Sequence, residues 1–245
     1  MQLNVYKDYA ELSFKIASVI VQQIVEQPTS VICLASGETP LLAYGLMAKI
    51  ISIQKIDISQ CTFIGLDEWV GIPKHNTGSC HYFLRQNVFD PLQLKPYQIK
   101  LFNALSDDLR SECDTMDDFI RTKGGINLMV VGIGMNGHVG FNEPGASPEL
   151  YSHVIDLDNK TQTVGQKYFT EKTSLKQGIT LGLKHFMASK IGLIMANGSR
   201  KADIMKLALE GEIKTEIPAS IIQRHKGGIV MLDEEAAAHL TKESL

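Results

Sequence analysis

Apolar residues recur along this chain with two different periods, and segments of the two kinds alternate. A helix that ends before Pro28 is predicted by apolar residues three or four positions apart, at Leu12, Ile16, Val19, Ile20 and Ile24. Short runs that are apolar at nearly every position are typical of strands buried on both faces. Such runs occupy residues 30–35, 61–66, 127–132, 190–196 and 228–233. Further helical patterns lie at residues 41–51, 81–89, 107–122 and 202–210.

Buried strands that alternate with helices predict the fold class. Parallel strands need long crossover connections, which are usually helices. We therefore expect an open, mostly parallel sheet sandwiched by helices, a Rossmann-like three-layer α/β/α fold. No repeat or linker divides the chain, so residues 1–245 are expected to form a single domain, although residues 152–183 have a mixed pattern. Ligands of such folds gather at the carboxyl ends of the strands, where every motif described below lies.

The first motif, Ser36-Gly37-Glu38-Thr39-Pro40, joins a predicted strand to a predicted helix. Thr39 suits the helix N-cap and Pro40 the first helical position. Gly37 would let the backbone approach a ligand closely, and the free N–H groups of a helix start attract anions. The motif is therefore compatible with a phosphate site, but an ordinary capped turn is the better explanation of this segment taken alone.

The second motif is an acidic pair, Asp67-Glu68, directly after a buried strand. A partly desolvated carboxylate can act as a base near neutral pH. Successive residues of an extended chain point to opposite faces, so we expect one of the two to face a ligand and the other to hold a loop. Helix capping or turn formation would also explain the pair.

The third motif, GIGMNGHVGFNEPG at residues 132–145, contains the pattern GxGxxG. A dinucleotide site requires the last glycine of that pattern to enter a helix, whereas here two glycines and a proline follow. We interpret the loop instead as a pocket wall that presents His138 and Asn136. His138 would carry out acid–base chemistry, and Glu143 would orient its imidazole. A structural turn with a hydrogen-bonded histidine is the plainer alternative.

A fourth motif, Ala196-Asn-Gly-Ser-Arg-Lys201, also follows a strand and opens a helix. It suggests a second anion site with Lys201 as the charged group. Two phosphate-compatible turns with a carboxylate and a histidine point to a phosphorylated, polyhydroxylated small molecule. No set of residues has the spacing of metal ligands, and the GxSxG motif of serine hydrolases is absent from the sequence.

Composition narrows the class of protein. Among 245 residues, 24 basic and 27 acidic side chains give a net charge of −3, which predicts neither a nucleic-acid partner nor binding to an anionic membrane. The apolar runs are too short for a membrane-spanning helix, and the N-terminal residues lack a signal-peptide pattern. Four cysteines without a CxxC pair favour a reducing, cytoplasmic location.

Together these motifs resemble the glucosamine-6-phosphate deaminase family, including its galactosamine-6-phosphate isomerase branch, over nearly the whole chain. The resemblance implies that Asp67 is the general base, that His138 opens the sugar ring, and that Glu143 orients His138. Asn136 stands where members have Asp or Asn. The implied phosphate contacts are Ser36, Gly37, Thr39, Lys201 and Lys167.

Two of these positions depart from the common pattern of the family. Lys167 stands where glucosamine-6-phosphate deaminases usually have Arg, so the charge is kept and the bidentate fork is lost. Glu38 falls where many members have Gly, and a carboxylate beside a phosphate would repel it unless turned outward. Both differences place preference for the glucosamine epimer in doubt.

The activity that the resemblance implies is isomerisation and deamination of galactosamine or glucosamine 6-phosphate, giving tagatose or fructose 6-phosphate and ammonia. The substrate itself supplies the electron sink, so the chemistry requires no metal and no organic cofactor. Backbone N–H groups around Gly137 are expected to stabilise the oxyanion. The implied partner is this small molecule, and the family allows a homo-oligomer.

Three other functions are weighed against this one. A 6-phosphogluconolactonase shares the fold, but its loop typically continues towards Leu-Phe-Pro-Gly instead of Phe-Asn-Glu-Pro-Gly. A non-catalytic sugar-phosphate-sensing module would carry a DNA-binding segment, and no basic helix-turn-helix is visible in this sequence. An isomerase that releases no ammonia is distinguished only by measuring ammonia.

Overall fold

A seven-stranded parallel sheet forms the middle layer of the structure, a computed structural model that describes residues 1–242. The strands are β1 (Gln2–Tyr6), β2 (Val31–Leu34), β3 (Thr62–Gly65), β5 (Ile99–Lys100), β6 (Leu128–Gly132), β9 (Ile191–Ala196) and β10 (Gly228–Asp233). Their order across the sheet is β1-β10-β9-β6-β2-β3-β5, and every neighbouring pair is parallel. The predicted three-layer α/β/α class is confirmed.

Helices cover both faces of this sheet. They are α1 (Tyr9–Glu26), α2 (Glu38–Gln54), α3 (Cys80–Leu84), α4 (Leu109–Thr122), α5 (Asn159–Gly165), α6 (Leu183–Ala188), α7 (Ala202–Glu210) and α8 (Glu234–Ala237). Alternate residues of each strand feed two separate cores because successive side chains point to opposite faces. Ile32 and Leu34 pack with α1 and α2, and Cys33 packs with α4 and α7.

A second, smaller sheet differs from what the sequence pattern predicts. It is antiparallel and consists of β4 (Asp67–Trp69), β7 (His153–Asp156) and β8 (Gln177–Thr180), in the order β4-β8-β7. The chain changes sheets at Leu66, whose N–H donates to Leu34 while its carbonyl accepts from Leu181. Residues 61–66, predicted as one strand, therefore lead directly into a strand of another sheet. Asp67 lies at this junction, close to the carboxyl edge of the main sheet.

Several element boundaries also differ from the prediction. The two edge strands, β1 and the two-residue β5, are absent from the prediction. The segment predicted as a helix at residues 81–89 is α3 followed by the π-helical turn Arg85–Phe89. Within residues 1–242, no helix is long and apolar enough to cross a membrane.

Candidate active site

A pocket of about 260 Å³ opens at the carboxyl edge of the parallel sheet. Loops that follow β2, β6 and β9 contribute to it, together with β4 and the segment that contains α5. Of the nine residues predicted for the site, eight line this pocket: Ser36, Gly37, Thr39, Asp67, Asn136, His138, Lys167 and Lys201. The ninth, Glu143, is buried behind His138. The structure thus brings together residues that are up to 165 positions apart in the sequence, from Ser36 to Lys201.

The side chain of Asp67 lines the pocket with only 8% of the residue exposed. Burial is the main cause that raises the pKa of this carboxyl group to about 7, and the nearby charge of Glu68 contributes to the same increase. The thiol of Cys80, within hydrogen-bonding reach, acts in the opposite direction. Asp67 can therefore exchange a proton near neutral pH.

Glu68 points away from Asp67 and holds a loop, as the alternation of an extended chain predicts. Its carboxylate accepts hydrogen bonds from the Ser79 hydroxyl (2.5 Å) and from the backbone N–H groups of Cys80 (3.0 Å) and His81 (2.9 Å). These donors form the start of α3. A fully buried carboxylate thus anchors the segment that carries Cys80 against Asp67.

His138 and Glu143 face each other on the loop after β6. The Nδ1 of His138 lies 3.4 Å from Oε2 of Glu143 and 3.1 Å from the hydroxyl of Thr161. Asn136 donates its side-chain N–H to the same Oε2 at 2.8 Å. Burial alone would raise the pKa of Glu143, but the hydrogen bonds and the charge of His138, with those of Thr161 and Asn136, hold it below its ordinary value. Glu143 therefore stays ionised beside the imidazole.

Backbone geometry of the same loop explains Gly134 and corrects one prediction. A methyl group on Gly134 would overlap the imidazole of His138, so the ring packs directly on the backbone. The N–H of Gly137 donates to the carbonyl of Gly134, and the N–H of His138 donates to Asn136 Oδ1. The prediction that N–H groups around Gly137 bind an oxyanion is therefore wrong for these two groups, because the tight turn already uses them. The described residues 133–150 contain no helix, in agreement with the rejection of a dinucleotide site.

The turn before α2 begins the helix earlier than predicted. Gly37 occupies the N-cap with φ of +122°, and Glu38 is the first helical residue. Thr39 is therefore not the N-cap, and its hydroxyl instead donates to Asn197 Oδ1 at 2.9 Å across the pocket. Glycine tolerates this positive φ, and because it has no side chain, the helix begins without a side-chain cap. Pro40 accordingly lies in the first turn and not at the first position.

The turn after β9 contributes a side chain to the pocket, but the backbone N–H groups of Gly198 and Ser199 in this turn are not free to bind an anion. The N–H of Gly198 donates to the carboxylate of Asp233, and the N–H of Ser199 donates to Glu235. The predicted second anion site is thus wrong for its backbone, since carboxylates of this chain already occupy it. Lys201 alone lines the pocket from this turn, and its ammonium group donates to the carbonyl of Ile133.

Lysines gather at this part of the pocket. The pKa of Lys201 is lowered to about 8. Burial is the main cause, the charges of Lys167 and Lys160 act in the same direction, and the charge of Glu38 opposes them. The ammonium of Lys167 lies 2.7 Å from Glu38 Oε2 and 5.0 Å from the centre of the Tyr168 ring. An anion entering here would meet three ammonium groups and one carboxylate.

Four residues of the site carry no strong signal in the sequence. Lys160 and Thr161 lie in the mixed segment 152–183, and Lys160 donates to the carbonyl of Met135 at 3.1 Å. Cys80 stands beside Asp67 without any motif of its own, and Asn197 belongs to the fourth motif as an unremarked position. All except Asn197 line the pocket. In the part of the chain that the structure describes, no group of three or more His, Cys, Asp or Glu side chains is arranged to hold a metal ion.

Comparison with known proteins agrees with this arrangement. The family described as glucosamine-6-phosphate isomerases/6-phosphogluconolactonase matches residues 9–231. A glucosamine-6-phosphate deaminase of Clostridium novyi (strain NT) is 36% identical over 98% of this chain and 100% of its own length. One of Clostridium botulinum (strain Hall) is 35% identical over 98% of this chain and 99% of its own.

Solved structures extend the comparison. The structure of a monomeric glucosamine-6-phosphate deaminase superposes with a TM-score of 0.94 at 31% identity, covering 98% of this chain and 100% of that one. A 6-phosphogluconolactonase from Trypanosoma brucei gives a TM-score of 0.79 at 17% identity, covering 98% of each chain, and shares the fold.

The fold and pocket define an α/β/α protein whose site lies at the carboxyl edge of a parallel sheet. Within that class, the chain belongs to the glucosamine-6-phosphate isomerase/6-phosphogluconolactonase family. The resemblance to glucosamine-6-phosphate deaminases inferred from the motifs is confirmed.

Proposed function

We propose that this chain, as one domain, is an amino-sugar 6-phosphate isomerase/deaminase that converts galactosamine or glucosamine 6-phosphate to tagatose or fructose 6-phosphate and ammonia. The observation that carries the proposal is the pocket shared by a buried carboxyl group, Asp67, and an imidazole backed by a carboxylate, His138 with Glu143. The lysines of the same pocket supply charge for a phosphate ester. Four free cysteines support the proposed cytoplasmic location.

Ring opening is assigned to His138. The imidazole takes the proton of the O1 hydroxyl and returns a proton to O5, so the C1–O5 bond breaks and an aldehyde forms. Glu143 keeps the ring in one orientation through Nδ1, and it stabilises the protonated imidazole while the proton is held. Asn136 fixes the Glu143 oxygen that faces the histidine.

Hydrogen transfer is assigned to Asp67. Its carboxylate removes the proton from C2, whose acidity the adjacent ammonium group and the C1 aldehyde increase. The electron pair of the C2–H bond forms the C1=C2 double bond of an enediol-type intermediate, and the aldehyde oxygen O1 takes up a proton while the ammonium group gives one up. Asp67 then returns the proton to C1, and the resulting imine at C2 adds water and loses ammonia. A pKa of about 7 suits a group that must both accept and return this proton.

The phosphate is assigned to the turn Ser36–Gly37–Thr39 and to Lys201 and Lys167, which line the pocket. The choice between the two epimers belongs to the proposal as well. The galactosamine branch is favoured by lysine in place of arginine at position 167.

A coupled ammonia assay with each of the two amino-sugar phosphates tests this function. We expect equimolar ammonia and ketose 6-phosphate from at least one of them, with the larger kcat/KM for galactosamine 6-phosphate. Conversion of an amino-sugar phosphate into a product that keeps the nitrogen, without release of ammonia, would indicate a simple isomerase. Hydrolysis of 6-phosphogluconolactone without action on either amino sugar would replace the proposal with the lactonase function.

A further inference from the structure

We propose that Glu38 is an internal competitor for the phosphate group and thereby sets how tightly this pocket binds phosphate. The proposal rests on the proposed function for the identity of the full substrate. Glu38 is the first residue of α2, and Lys167 lies 129 positions further along the chain, in the short helical turn Gln166–Tyr168. Their side chains nevertheless meet at 2.7 Å within the pocket lining.

The location of this ion pair gives it a consequence for binding. Lys167 is one of three lysines that line the pocket, and Glu38 is the carboxylate that faces them. The ammonium of Lys167 donates to Glu38 and also lies over the ring of Tyr168. A phosphate that binds Lys167 therefore competes with the Glu38 carboxylate for the same ammonium group.

Loss of the ion pair between Glu38 and Lys167 costs free energy, so the affinity of the pocket for any phosphate ligand is reduced by the strength of that pair. Glu38 and Lys167 are substantially exposed, with 73% and 43% of their side chains accessible, so water screens the pair. Screened pairs of this kind correspond to about a two- to fivefold change in an equilibrium constant. A sugar phosphate offsets this loss through contacts of its sugar with the rest of the pocket, whereas free inorganic phosphate has only the contacts of the phosphate group. Glu38 would thus keep abundant inorganic phosphate from occupying the site.

Inorganic phosphate is the probe for the test, because its binding requires no turnover. Its Kd is measured by titration calorimetry for the intact chain and for the variants Glu38→Gln, Lys167→Gln and the double variant. Glu149→Gln is the matched control, because it removes the same charge from another exposed ion pair, with Lys184 at 3.2 Å, outside the pocket.

We expect Glu38→Gln to tighten phosphate binding about two- to fivefold, and Glu149→Gln to leave it unchanged. In the Lys167→Gln background, Glu38→Gln should have a clearly smaller effect, because no ion pair is left to break. Equal tightening in both backgrounds would show general charge repulsion and overturn the proposal. Unchanged or weaker binding by Glu38→Gln would overturn it as well.

Kinetics with the amino-sugar phosphates separates this proposal from the proposed function. If ammonia is released, Glu38→Gln should lower KM by about the factor found for phosphate. An unchanged or raised KM would contradict a competing role for Glu38. A chain that releases no ammonia and still shows the predicted phosphate cycle would refute the function and leave the internal competition standing.

Discussion

The carboxyl group of Asp67 combines burial with a second carboxylate one residue away, and both raise its pKa. The sequence places two acids after a strand, and the alternation of extended residues separates their roles. What the sequence does not contain is the degree of burial, because that depends on packing by Cys80 and by residues of distant segments. The position of the base was therefore predictable, whereas its pKa of about 7 required the structure.

The pH dependence of catalysis follows from this pKa. Asp67 must be deprotonated to remove the C2 proton, so kcat/KM should rise as pH increases through about 7 and level off above it. An Asp with its ordinary pKa would give no change between pH 6 and 8. The measurement is the initial rate of ammonia release at low substrate concentration across that range. A flat profile would contradict the assignment of Asp67 as a base with a raised pKa.

The same pKa makes a prediction about stability. Because the folded pKa of Asp67 is raised, its ionised form is disfavoured in the folded state, and stability falls as pH increases from about 4 to about 7. Asp67→Asn removes this penalty, so the variant should be more stable than the unmodified chain by roughly 2–4 kcal/mol at pH 8, and by less at pH 5. Urea unfolding at both pH values measures the difference.

Asp114→Asn is the matched control for this stability measurement, because Asp114 is an exposed residue of α4. It should change the free energy of unfolding little at either pH. A gain for Asp67→Asn that is the same at pH 5 and pH 8 would show that ionisation of Asp67 is not the cause.

At the scale of elements, the apolar pattern predicted the long helices α1, α2, α4 and α7 and the central strands, but not the short helices α5, α6 and α8. Burial on both faces makes the central strands apolar throughout. The second sheet was not predictable in this way. β4 follows the apolar run 61–66 without an intervening loop and begins with two acidic residues, and its partner β8 follows more than 100 residues later in a segment of mixed pattern. Pairing between such distant short strands is decided by tertiary contacts, and the local pattern does not record them.

Loop 133–145 shows how an element positions a side chain. The backbone at Gly134 lies directly against the imidazole of His138. Gly134→Ala should therefore displace the imidazole and lower kcat about tenfold or more, while the chain still folds, because the colliding group is a side chain. Ammonia release measures activity, and circular dichroism measures folding.

Gly45→Ala is the control for this element, since Gly45 lies within α2 and an added methyl group meets nothing within 4 Å. It should keep full activity. If Gly134→Ala is as active as Gly45→Ala, the position of the imidazole does not depend on close packing against this glycine.

At the scale of the whole molecule, the location of the site in the fold could be predicted from the sequence, whereas the residues that line it could be predicted only in part. Parallel strands present their carboxyl ends at one edge, so motifs from four parts of the chain were expected to meet there. Lys160 and Thr161 join them from a segment whose pattern predicted no clear element. The ion pair of Glu38 with Lys167 was also beyond prediction, because it depends on how that segment folds over the pocket.

The proposed chemistry uses the C1 aldehyde of the opened substrate as its electron sink, and this predicts independence from metal ions. Dialysis against EDTA should leave the rate of ammonia release unchanged. A rate that falls after dialysis and returns on addition of a divalent cation would contradict the assignment of both proton transfers to Asp67 and His138 alone.

Transfer of hydrogen from C2 by Asp67 is the claim on which the account rests. The most direct measurement compares ammonia release from amino-sugar 6-phosphate carrying deuterium or protium at C2, with the unmodified chain and with Asp67→Asn. We predict slower release from the deuterated substrate, and a loss of turnover of about 10²–10⁴-fold in the variant, which still binds inorganic phosphate. Equal rates for the two isotopes, together with near-normal turnover by Asp67→Asn, would contradict the account.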